Sequence, residues 1–217
     1  MQKPDAILLV GPTGSGKTPL GELLERQGLW GRPCRHFDFG RRMRDVVAAG
    51  TPPEGLSGGE IEFLRSVLAS GALLEDEHFP IAEKILRAFV AEPGTAGALV
   101  VLNGLPRHAG QARDVGTVVC VRAVIELACT AEVVLRRIEA DTEGDRAGRT
   151  DDDVEAVRRK LEIFARRTSP LLEHYRGRGA WIESVRVAAD GTAGEVRDAL
   201  QRLGCPFDGP AKGDAPC

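Results

Sequence analysis

Ala6-Ile7-Leu8-Leu9-Val10-Gly11-Pro12-Thr13-Gly14-Ser15-Gly16-Lys17-Thr18 is the stretch that decides the fold. Residues 6–10 are continuously apolar, the pattern of a parallel strand buried on both faces. Residues 11–18 fit G-x-x-x-x-G-K-[ST], the phosphate-binding loop. Its glycines, Gly11, Gly14 and Gly16, let the backbone turn tightly. The N–H groups of the loop, with Thr13 and Ser15 between the glycines, can then face a polyphosphate. Leu20, Leu23 and Leu24 follow at helical spacing, so a helix N-terminus adds its partial positive charge. Lys17 is placed to reach the β- and γ-phosphates of a nucleoside triphosphate, and the Thr18 hydroxyl to ligate Mg²⁺. Pro19 suits the first helical turn, where its missing N–H costs little.

Outward from this stretch, apolar runs at 34–39, 98–102, 122–128 and 180–187 read as further strands, with helical patterns between them. This alternation predicts an α/β fold of the P-loop NTPase kind: a five-stranded parallel sheet with helices on both faces. Ligands of such sheets bind beyond the carboxyl ends of the strands. The phosphate loop, the corner Phe37-Asp38-Phe39-Gly40 and the stretch Asn103-Gly104-Leu105-Pro106 all follow strands, so they should meet at one edge. Two stretches read as insertions over that edge. Residues 41–80 carry short helical patterns broken at Thr51-Pro52-Pro53-Glu54-Gly55 and Ser57-Gly58-Gly59. Residues 140–150 are polar, glycine-containing and aperiodic, a mobile loop bearing arginines. From Asp151 a long helix is expected through about Arg167, burying Val154, Val157, Leu161 and Phe164. Two more helices are expected at 170–175 and 193–203. One domain over 1–205 is expected, with a disordered tail over 206–217.

With 217 residues, the chain is long enough for one substantial core. A net charge of −3 argues against a general nucleic-acid binder. No stretch has the roughly 18 apolar residues of a membrane span, and the chain starts almost at once with a strand rather than a signal peptide. Five cysteines without a C-x-x-C pair fit reduced thiols in a cytoplasmic protein, with Cys120 and Cys129 in the core.

Three further segments name a reaction. Asn103-Gly104-Leu105-Pro106-Arg107 followed by Gln111-Ala112 resembles the D-G-F-P-R-x-x-x-Q-A signature of adenylate kinases and other nucleoside monophosphate kinases. Arg149-Thr150-Asp151-Asp152, then Lys160-Leu161-Glu162, Thr168-Ser169-Pro170 and Tyr175 resemble that family's R-x-D-D…R-L-E…T-x-P…Y. Residues 71–77, with Leu74 among them, resemble the stretch that closes over the acceptor base. The resemblance runs in order from about Ile7 to Leu203. It implies ATP-dependent transfer to a nucleoside monophosphate with Mg²⁺, by a monomer acting on small nucleotides, without nucleic acid or membrane. It implies a short lid at 140–150 without zinc-binding cysteines. Gly11, Thr13, Gly14, Ser15, Gly16, Lys17 and Thr18 would hold ATP. Arg44 and Arg107 would hold the acceptor phosphate, with Phe39, Gly40, Leu74, Asn103, Gly104 and Gln111 around the acceptor. Arg137, Arg149 and Lys160 would join Lys17 on the transferring phosphates. Such a set is what phosphoryl transfer needs, because positioning and charge neutralisation do most of the work.

Several positions depart from the family pattern. Asn103 stands for the aspartate that orients the water shell of Mg²⁺, and Arg41 for the aspartate of the T-G-D corner. Asp38 is close enough to supply a carboxylate through water. Asp141 stands for a second lid-hinge arginine, unless Arg146 takes that place. Lys160 keeps charge but loses the bidentate fork, and Phe39 replaces a threonine with an aromatic wall. Two rival readings follow from these departures: a P-loop kinase of another small acceptor, pointed to by Asp38, and a catalytically weak nucleotide-binding module.

Overall fold

A computed structural model describes residues 3–49, 55–72, 74–142, 144 and 154–206. Five strands form one all-parallel sheet: β1 (Asp5–Val10), β2 (Cys34–Asp38), β3 (Leu99–Asn103), β4 (Cys120–Ala128) and β5 (Trp181–Arg186), in the order β2-β3-β1-β4-β5. The chain leaves β1 towards one side of the sheet and crosses to the other after β3. The loop after β1 therefore lies at the switch point where such sheets open a crevice.

The apolar run of β1 is continuous because both faces are covered. Ile7 and Leu9 pack with Leu20 and Leu24 of α1 (Lys17–Gln27) and with Val196 and Leu200 of α9 (Ala193–Leu203). Ala6, Leu8 and Val10 face the larger core on the opposite side. That core receives α2 (Phe39–Ala48), α3 (Gly58–Ser70), α4 (Phe79–Val90), α5 (Ala109–Val115) and α8 (Leu171–Gly177). Capping boxes start α3 at Ser57/Glu60 and α9 at Thr192/Glu195, the S/T-x-x-E signature.

All five expected strands are present, with bounds within two residues. The long helix is different. It divides into α7 (Val154–Ile163) and a wide π-turn over Phe164–Thr168, closed by the Ser169 N–H on the Phe164 carbonyl at 2.8 Å. Pro170 is the reason: in a regular helix its ring would strike the carbonyl four residues back, and widening the turn relieves this. Val157 is buried as expected, whereas Leu161 and Phe164 are half-buried. Cys34, Cys129 and Cys205 are free thiols. The expectation of a fully reduced set fails at Cys120, which is disulfide-bonded. The expected lid at 140–150 and the tail at 206–217 fall mostly outside the described residues. No described helix is long and apolar enough to cross a membrane.

Candidate active site

Strand register brings the three expected loops together. Asp38 pairs with Asn103, and Asn103 with Leu9, so β2, β3 and β1 end at the same level. On the donor side, Gly14 and Gly16 take left-handed φ values of 74° and 92°. A Cβ on Gly14 would also lie 2.9 Å from Ile138. Gly16 stands at the N-cap of α1 and offers no side-chain cap. The first N–H groups of α1 are thus left to an anion. Lys17 folds over the loop and donates to the carbonyls of Gly11 and Pro12, both at 2.7 Å.

Beside this floor lies a tight polar corner. The Thr18 hydroxyl donates to Asp38 Oδ2 at 2.8 Å, and Asn103 Nδ2 donates to the same oxygen at 2.8 Å. Asn103 Nδ2 also lies 3.1 Å from Thr18 Oγ1. The other carboxylate oxygen of Asp38 accepts the Arg41 N–H at 2.9 Å and so caps α2. Burial pushes the Asp38 pKa up, but the Arg41 N–H, the Thr18 hydroxyl and the nearby His36 and Arg44 outweigh it. The net shift is downward, and Asp38 is an anion at neutral pH. The Arg41 side chain is not part of this corner. It turns away to an ion pair with Glu22 on α1.

A second cluster of charged groups is built around two glycines. A Cβ on Gly40 would meet Asp38 Oδ1 at 3.4 Å and Arg44 Nη1 at 3.5 Å. A Cβ on Gly104, whose φ is 82°, would meet Arg107 Nη2 at 3.6 Å and the Gly40 nitrogen at 4.0 Å. The guanidinium groups of Arg44 and Arg107 thus end close to the backbone of Gly40 and Gly104, with the Asp38 carboxylate beside them. Arg107 is steered by its Nε, which donates to the Gly104 carbonyl at 3.1 Å. Burial lowers its pKa and Asp38 partly offsets this. Neither Arg44 nor Arg107 has a salt bridge to a carboxylate among the described residues.

No protein-family model matches the chain. It is similar to the adenylate kinase of Thermus thermophilus, with 31% identity covering 88% of this chain and 92% of that protein. It is 30% identical to the adenylate kinase of Stenotrophomonas maltophilia, over 80% and 86% of the two chains. The adenylate kinase of Xanthomonas campestris pv. campestris gives 29% over 91% and 96%. The chain belongs to the adenylate kinase family. It is therefore a nucleoside monophosphate kinase by family.

Other site expectations for this adenylate kinase-family chain meet a more varied geometry. Arg137 is 3% exposed. Its Nε donates to the Gly14 carbonyl at 3.0 Å, and its Nη1 to the carbonyls of Ala188 and Gly191 at 2.9 and 2.6 Å. It therefore clasps the phosphate loop to the segment between β5 and α9. Lys160 is half-buried on α7. Arg149 and Arg146 lie outside the described residues. Asp141 ends α6 (Ala131–Ala140) in a left-handed conformation, φ 43°, which aspartate tolerates better than most residues. Phe39 is 4% exposed and stacks on Phe37 at 6.1 Å, with its ring in the core.

Gln111 is buried with both ends of its amide engaged. Oε1 accepts the Arg107 N–H at 2.9 Å, and Nε2 donates to the Leu74 carbonyl at 2.8 Å. His108 Nε2 reaches the same carbonyl at 3.2 Å, and its Nδ1 stands 3.2 Å from Asp76. Arg167 grips Glu75 with two hydrogen bonds of 2.6 and 2.7 Å, holding that carboxyl below its usual range. The segment 74–76 is thus strapped down by α5 and by the π-turn. Sequence reasoning missed His108 and Arg167. The available signal was Gly110: a Cβ there would lie 2.1 Å from the Asp76 carboxylate, so a glycine in the first turn of α5 marks a close approach.

Proposed function

We propose that this chain transfers the terminal phosphoryl group of ATP to a nucleoside monophosphate, giving two nucleoside diphosphates. One observation carries the reading: a phosphate loop and a second anion cradle, formed by Gly40, Gly104, Arg44 and Arg107, stand on adjacent strand ends with a hydroxyl–carboxylate corner beside them. Two polyanions held end to end need separate cationic clamps, and this arrangement supplies them.

The corner fits Mg²⁺ by its chemistry. Thr18 Oγ1 and Asp38 Oδ2 are hard oxygen donors 2.8 Å apart, and Asn103 can orient a water. When bound, Mg²⁺ neutralises charge on the phosphates. The residues of the chain do the rest. The N–H groups of the loop and Lys17 hold the donor. Arg44 and Arg107 hold the acceptor phosphate. Leu74 and Gln111 border the acceptor base. Lys160, with Arg149 from the lid, completes the charge balance. Lid closure over the site excludes water, so that ATP reacts with the acceptor rather than being hydrolysed. Arg137, clasped by backbone carbonyls, orients the loop. One domain over 1–205 is supported by the single sheet, with an acceptor-binding insertion at 41–80. A cytoplasmic location, where the protein acts as a monomer on small nucleotides, completes the reading; the free thiols of Cys34, Cys129 and Cys205 fit it, and the bonded Cys120 does not.

A coupled assay of ADP release with AMP, GMP, CMP and UMP tests the reading. ATP should be consumed rapidly only when a preferred monophosphate is present. ATP binding without transfer to any of the four would refute it.

A further inference from the structure

We propose that Asp38 makes binding at the donor–metal corner and binding of the acceptor phosphate interdependent. This rests on the phosphotransferase reading above and concerns how its two sites communicate. The observation is that one carboxylate belongs to both. Oδ2 takes the Thr18 hydroxyl and the Asn103 amide on the donor side. Oδ1 takes the Arg41 N–H and caps α2, the helix that carries Arg44. Oδ1 and Arg44 Nη1 lie 3.4 and 3.5 Å from the same point, the position of a Cβ on Gly40. They are therefore no more than about 7 Å apart, within the Debye length of about 8 Å at physiological ionic strength. Arg107 also feels the Asp38 charge.

The Asp38 contribution to the electrostatics has a definite sign. With the donor side unliganded, the Asp38 charge offsets part of the positive field of Arg44 and Arg107, and it repels an incoming phosphate. When a hydrated cation shares that charge, the part of the arginines' field that Asp38 offsets is released to the acceptor, while the donor phosphates bring negative charge that the loop and Lys17 screen. Donor–metal binding should then tighten acceptor binding, and linkage requires the reverse as well. Had the acid stood at 103, on β3, it would have no bond to the N-terminus of α2. With Asn103 there and Asp38 on β2, the charge sits at the root of the acceptor helix.

Calorimetric titration of AMP, GMP, CMP and UMP tests this in two states: protein alone in EDTA, and protein saturated with Mg²⁺ and a non-hydrolysable ATP analogue. For the wild type, the preferred monophosphate should bind about tenfold tighter in the second state. Asp38→Asn and Asp38→Ser both preserve a side chain that caps α2. In both variants the monophosphate should bind several-fold tighter than wild type in EDTA, and the gain on adding Mg²⁺ and analogue should fall to about threefold or less. A damaged site would instead weaken binding in EDTA, so the direction of change separates coupling from disruption. Unchanged or weaker binding in EDTA overturns the inference, as does a wild-type gain in the variants. If the wild type binds none of the four monophosphates, the functional reading itself is refuted.

Discussion

Arg137 and Arg107 stand on opposite sides of the same strand ends, and they are used in opposite ways. Arg137 is 3% exposed and spends its donors on the carbonyls of Gly14, Ala188 and Gly191. Arg107 anchors its Nε on the Gly104 carbonyl, and its Nη2 lies 3.6 Å from the position of a Cβ on Gly104. The donor floor is thus shaped by backbone, with a buried cation as its fastening. Around Gly40 and Gly104, by contrast, side-chain charge stands close to the backbone. Both arginines come from family motifs, yet Arg137 donates to several backbone carbonyls through Nε and Nη1, whereas the Arg107 Nε donates to one.

The donor side breaks first. Lys17→Ala should lower kcat by at least about 10²–10³-fold, because the charge at the transferring phosphate is lost. The fold should survive, since the bonds of Lys17 to the Gly11 and Pro12 carbonyls and the Ser15 hydroxyl stay within the loop. A coupled kinase assay with a thermal melt reads both. Arg107→Ala should weaken acceptor binding by roughly one to two decades and donor binding far less, because a charge-assisted phosphate contact is worth about 1.5–3 kcal/mol. Separate calorimetric titrations measure the split, and an equal loss for both substrates would erase the contrast with Arg137. Arg137→Ala should instead lower stability, because it removes charge-assisted bonds from a buried guanidinium to the Gly14, Ala188 and Gly191 carbonyls, such a bond being worth about 1.5–3 kcal/mol. Acceptor affinity should stay near wild type. Loss of donor affinity at unchanged stability would make Arg137 a clamp after all.

The smallest effect lies between α3 and α4. Glu60 caps α3 and pairs with Lys84 of α4 at 2.7 Å. The Lys84 bond and the Ser57 N–H pull its pKa from 4.5 down to about 2. A depressed carboxyl contributes stability above its unfolded pKa and loses it as pH falls through the folded value. Glu60→Gln should therefore lower Tm slightly at about pH 6, and the gap should close as pH falls from about 4.5 towards 2. A gap that widens on acidification would contradict this assignment.

These contrasts also explain what the sequence could reveal. The strands were legible because β1, β3 and β4 are buried on both faces, which leaves continuous apolar runs. The phosphate loop was legible because only glycine accepts φ near 74° and 92° at positions 14 and 16. Lys17, Thr18, Gly104 and Arg107 fall together because strand register carries them to one level. The role of Arg137 was not legible, since burial by the segment after β5 is a long-range event. The same holds for the engaged amide of Gln111 and for Phe39, whose ring turns into the core. Asp38 was readable as a nearby acid. That its Oδ2 meets Thr18 and Asn103 while its Oδ1 caps α2 required the structure.

Phosphorus-31 NMR of ATP with Mg²⁺ and each monophosphate in turn tests the central claim most directly. With the preferred acceptor, the γ-phosphate signal of ATP should decline while signals of two nucleoside diphosphates grow, without inorganic phosphate. Release of inorganic phosphate in place of diphosphate, or an unchanged spectrum with all four monophosphates, would contradict the account.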